Sequence, residues 1–62
     1  MDDPMAVRVG ERMISRMLLA DTELHVTDAA VKVINILRAS GQEEAAAILD
    51  RRYGTSAIGR LV

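Results

Sequence analysis

Three stretches of this sequence bring together residue types that could do chemistry. The first is Asp21-Thr22-Glu23-Leu24-His25-Val26-Thr27-Asp28. In an extended chain alternate side chains point the same way, so Asp21, Glu23 and His25 would share a side. Two carboxylates and an imidazole could then hold a divalent cation. The pattern falls short of a recognised site, however. A calcium loop needs a glycine at its turn and a bidentate Glu at its end, and both are missing. His25 is the single histidine and the chain has no cysteine, so no zinc set or nucleophile–base pair forms around it. The expectation is a polar connection with helix-capping acids, holding no metal and no cofactor.

The second stretch is Gly54-Thr55-Ser56-Ala57-Ile58-Gly59-Arg60-Leu61, which has the two glycines of a phosphate loop at the right spacing. Arg60 and Leu61 stand where that motif has Lys and Ser or Thr. The motif also needs a strand before it and a helix after it, which the pattern does not supply. The third is the row Arg8, Arg12 and Arg16. Residues four apart lie on one helix face, where like charges repel by a few tenths of a kcal/mol per pair. Such a row suits an acidic partner or a phosphate backbone. The plainer reading is a solvated face, with Glu11 relieving Arg8 or with Glu23, Glu43, Glu44 or Asp50 pairing to the arginines across chains.

These groups must be carried by helices. Asp3-Pro4 reads as a helix start, with Asp capping free N–H groups and Pro at the first helical position. Apolar residues then recur in steps of three or four, along Ala6, Val9, Met13, Met17 and Ala20 and along Val7, Ile14 and Leu18. Residues 21–27 connect, with a short extended stretch near Leu24 and Val26. Thr27 is expected to cap a second helix with Asp28 in its first turn. Its polar stripe is narrow (Asp28, Lys32, Asn35, Arg38), so it needs to be buried almost all round or to have two partners. Ser40-Gly41-Gln42-Glu43 matches the capping box, Ser followed three residues later by Glu. A break near Ser40 is therefore expected, a helix running on through Gly41 being the alternative at about 1 kcal/mol relative to Ala. The third helix has acids at its start, Arg51 and Arg52 at its end, and Gly54 as its stop. The reading is thus all-α, with three short helices at about 4–20, 28–39 and 41–53, and residues 55–62 a flexible or docking tail.

The bulk composition fits this reading. The chain has 62 residues, half of them apolar and 27% charged, with a net charge of −1. That is too apolar for disorder, and no apolar run reaches the ~18–20 residues that span a membrane. The acidic opening Met-Asp-Asp-Pro is unlike a secretory leader, so a soluble cytoplasmic protein is expected. A domain this small is marginal alone and commonly recruits a disulfide, a metal or another chain. With Tyr53 its only aromatic, the chain is expected to complete its bundle by oligomerising. A homodimer sharing helices 1 and 2 is favoured, with Ile34 at the shared face.

A helix-turn-helix made of helices 2 and 3 would lead into the groove with Gln42, Glu43 and Glu44, and carboxylates repel phosphates. A histone-like helix–loop–long helix meets the same objection and would run through Gly41. One aromatic gives no stacking platform for single strands. The expected function is therefore a non-enzymatic protein–protein interaction module: an adaptor, regulator or small subunit presenting a helix face. The contact residues are expected to be Arg8, Arg12, Arg16, Met13, Met17, Ile58 and Leu61. Methionines at helical spacing serve equally as core. The runner-up is a small dimeric nucleic-acid-associated regulator using the arginine row, although the overall charge argues against nucleic acid.

Overall fold

The computed structural model describes residues 4–55, which fold as three helices: α1 (Ala6–Ala20), α2 (Val26–Ala39) and α3 (Glu43–Tyr53). There is no strand among the described residues. Each helix touches both others, so the core lies where the three inner faces meet. It is built from Ile14 of α1, from Ala29, Ala30, Val33, Ile34 and Leu37 of α2, and from Ala45, Ala46 and Leu49 of α3, with Ala6 at one end. Val7, Met13, Met17, Leu18, Leu24 and Tyr53 pack around this centre. The alanines let the backbones approach closely, so small side chains fill a core that has no buried aromatic ring.

Gly10 takes that closeness to its limit. It is buried in the second turn of α1, and a Cβ there would lie 2.6 Å from Leu49 Cδ1 and 3.1 Å from Leu37 Cδ1. A mid-helix glycine is unfavourable by propensity. Here it is where the first helix crosses the other two.

The helix ends differ from the sequence reading in three places. Pro4 lies in a turn ahead of α1, and Met5 occupies the N-cap position without a side-chain cap. Asp3, the expected cap, lies outside the described residues. α2 starts two residues earlier than expected. Its cap is His25, not Thr27: the Thr27 N–H donates to His25 Nδ1 at 3.3 Å, and Thr27 Oγ1 lies 2.7 Å from the same nitrogen. The chain between α1 and α2 turns instead of extending, with Leu24 N–H donating to the Asp21 carbonyl.

The third difference is at the α2–α3 junction. The break falls where expected, but Ser40 does not cap α3. Ser40 closes α2, Gly41 follows with φ +82, and α3 begins after Gln42 with no side-chain cap. Gln42 N–H donates to the Leu37 carbonyl (2.8 Å) and Gly41 N–H to the Arg38 carbonyl (3.1 Å). This pair of bonds is the Schellman ending of a helix, which requires a left-handed residue and hence glycine. The Ser-x-x-Glu spacing is coincidental, because a stronger device terminates the preceding helix at the same residues. Gly54, φ +69, ends α3 in the same left-handed region, as expected.

Ion pairs tie the helices together at the surface. Arg52 of α3 pairs with Glu11 of α1, and Arg38 of α2 lies 3.9 Å from Asp50 of α3. Thr55, buried just beyond α3, donates its hydroxyl back to the Asp50 carboxylate.

Candidate interaction surface

A row of exposed side chains follows from the burial of Gly10. With the centre of the inner face at residue 10, the outer face of α1 carries Met5, Arg8, Val9, Arg12, Ser15, Arg16, Leu19 and Ala20, all exposed. Arg8, Arg12 and Arg16 therefore do share one solvent face. At 1.5 Å rise per residue they stand about 6 Å apart along the axis. None of the three makes an ion pair among the described residues. Glu11, the expected relief for Arg8, lies toward α3 and is taken by Arg52.

Apolar side chains interleave with this row. Leu19 is 82% exposed, and Met5 and Val9 are each 50% exposed. Met5, Arg8, Val9 and Arg12 line a shallow open depression, with two apolar side chains and two guanidinium groups. Met13 and Met17 point the other way, half-buried against the core. Ile58 and Leu61 lie outside the described residues. The apolar pattern omits Leu19 and puts Val9 in one line with Met13 and Met17, because a count of apolar residues gives no weight to a glycine as a packing residue. The signal was present: Leu19 follows Arg16 by three, the spacing of a shared face.

The local energetics of this face run against helix stability. Arg8 lies in the first turn, where the helix dipole is positive, and α1 has no acidic residue there and no side-chain cap. The steps from Arg8 to Arg12 and from Arg12 to Arg16 add repulsion.

The other sequence candidates do not assemble into a site. Asp21 Oδ1 accepts from the Glu23 N–H at 3.1 Å, and His25 is engaged with Thr27. Among the described residues no three Asp, Glu or His side chains converge on a point that could hold a metal. Gly54 serves as a helix stop, and Gly59, Arg60 and Leu61 of the glycine-spaced stretch lie outside the described residues. No helix of the described residues is long and apolar enough to cross a membrane. Comparison with known protein families, with curated proteins and with solved structures finds no match for this chain.

Proposed function

We propose that this chain is a non-enzymatic interaction module whose working surface is the outer face of α1. One observation carries the reading: three arginines that make no ion pair among the described residues alternate with exposed Met5, Val9 and Leu19 along a single helix. Single exposed aliphatics are ordinary, but here three of them share one face with the arginines, and a side chain as open as Leu19 is stabilised by leaving water. Where natural sequences break local folding rules, function is the usual reason.

The homodimer suggested by the sequence has less support at this face. A two-fold axis near Arg12 would set arginines of one copy against those of the other, and like charges at an interface are costly. Ile34 is 3% exposed within the single chain, so it is satisfied without a second copy. The nucleic-acid alternative retains the arginine row, but exposed Asp21 and Glu23 follow directly at the end of α1 and would repel a phosphate backbone.

Site-directed photocrosslinking in cells tests the reading. A benzophenone side chain at Leu19 should give discrete protein adducts that disappear when Arg8, Arg12 and Arg16 are all changed to Glu. The same group at Asn35, on the outer face of α2, should give none. Equal adducts from both positions, or adducts indifferent to the arginines, would refute it.

A further inference from the structure

We infer that the partner of this face is an acidic amphipathic helix, lying along α1 and placing an apolar side chain, flanked by carboxylates, in the depression lined by Met5, Arg8, Val9 and Arg12. The inference rests on the interaction-module reading above and specifies its ligand. The depression has an apolar lining from Met5 and Val9 and two cations, Arg8 and Arg12, around it. A side chain that fits it is apolar, and its neighbours are anions. The guanidinium fork binds carboxylate in bidentate fashion.

The spacing selects a helix. Arg8, Arg12 and Arg16 recur every four residues, about 6 Å apart. A second helix has the same rise, so Asp or Glu residues at its own four-residue spacing meet the row in register, with apolar residues between them facing Met5, Val9 and Leu19. A carboxylate brought to Arg8 also supplies the negative charge that the first turn of α1 lacks.

Other occupants fit less well. A duplex leaves Met5, Val9 and Leu19 without a use, and an anionic bilayer, which would bury them, meets the exposed carboxylates of Asp21 and Glu23 at the end of the same helix. A second copy of this chain offers either its own arginine row or the outer side of α3, where Glu43 and Glu44 give way to Arg51 one face-length on. Residues 56–62 bring Ile58, Leu61 and Val62, but their one charged side chain is Arg60.

The test uses the whole 62-residue protein, uniformly labelled with nitrogen-15. The probe is a synthetic peptide of about 20 residues, long enough to be helical, with Glu at three successive four-residue positions and Leu between them on one face. Its control replaces each Glu by Gln. Acidic vesicles of phosphatidylglycerol and a short DNA duplex form two further arms. Amide shifts should centre on Met5, Val9, Arg12 and Leu19. Affinity should fall about tenfold or more with the Gln peptide and with Arg12→Glu. Arg8→Glu should weaken binding while leaving the melting temperature unchanged or higher, which separates lost binding from lost fold. Failure of the Glu peptide to bind, equal binding of the Gln peptide, or preference for vesicles or DNA would overturn the acidic-helix inference. If Leu19 still crosslinks in cells after such a result, the interaction-module reading stands and only its ligand was wrong. If Leu19 does not crosslink, both fall.

Discussion

Gly10→Ala should destabilise this protein, although alanine is the better helix former. Two effects of opposite sign compete. Replacing an interior glycine by alanine favours a helix by about 1 kcal/mol. Against this, the new Cβ would sit 2.6 Å from Leu49 Cδ1, 3.1 Å from Leu37 Cδ1 and 3.5 Å from Val33 Cγ1. Carbon atoms pack at about 3.5–4.0 Å, so the Leu49 methyl must retreat by about 1 Å. Leu49 is fully buried and Leu37 nearly so, so the displaced methyl groups must move against packed neighbours. Overpacking a filled core costs about 1–3 kcal/mol. The clash wins, and the net loss is about 1 kcal/mol, or a fall in Tm of about 4–8 °C for so small a domain.

Thermal and urea unfolding followed by helical circular dichroism measure this directly, and two companions sharpen it. Ser15→Ala, on the exposed side of the same helix, has the propensity gain and no clash, so it should raise stability by up to about 0.5 kcal/mol. Leu49→Val removes the obstructing methyl at a cost of about 1 kcal/mol. In that background Gly10→Ala should become stabilising, a reversal of sign that only contacting residues produce. If Gly10→Ala raises the wild-type Tm as much as Ser15→Ala does, α1 does not cross the other helices at Gly10, and the assignment of its outer face fails with it.

Gly41→Ala should cost about 1–2 kcal/mol, because φ +82 is left-handed. Ser40→Ala should be nearly silent, within about 0.5 kcal/mol, since Ser40 caps no helix with its side chain; a loss near 1 kcal/mol in chemical denaturation would restore the capping box. His25→Asp should stabilise the fold and His25→Ala weaken it, each by about 0.5–1 kcal/mol in urea titrations, because the His25 side chain accepts from Thr27 at the start of α2. Ile34→Asp should unfold the chain at every protein concentration, with no recovery of helical signal on concentrating the sample, since the buried carboxylate enters this chain's own core.

Much of the fold could be read from the residues alone. Three helices, the break near Ser40, the acidic starts and basic ends of α2 and α3, and the stop at Gly54 all follow from local signals that tertiary packing does not overrule. What was illegible follows from two ambiguities. A histidine ring accepting a hydrogen bond does the work of an Asp or Ser cap but is rarely scored as one, so the pattern points to Thr27 as the cap and to Asp28 as the first residue of α2. Ser-Gly-x-Glu encodes both a capping box and a Schellman ending, and the deciding fact, a left-handed Gly41, is a backbone property. The orientation of α1 was misread more seriously. The apolar pattern groups Val9 with Met13 and Met17, whereas the structure turns Gly10 inward and Val9 out. A residue with no side chain contributes nothing to a hydrophobic pattern, yet it marks the closest approach of backbones.

That rotation decides which residues are available to a partner. The ends of α2 carry Asp28 and Arg38, and those of α3 carry Glu43 and Glu44 against Arg51 and Arg52, each in the sense that the helix dipole favours. Of the three described helices, α1 alone has neither an acid in its first turn nor a base in its last, and it places like charges at four-residue spacing. The same helix supplies Met5, Val9 and Leu19 to solvent, and Leu19 is far more open than Val26 and Ile36, the exposed aliphatics of α2. A helix shaped only to complete this bundle would gain from an acid at residue 8 and a polar residue at 19, and neither change would touch the core. The locally unfavourable choices of α1 lie on one solvent-facing stripe, and an acidic apolar helix laid along that stripe would reverse each of them: carboxylates for the arginines and the dipole, aliphatic contacts for Leu19 and Val9.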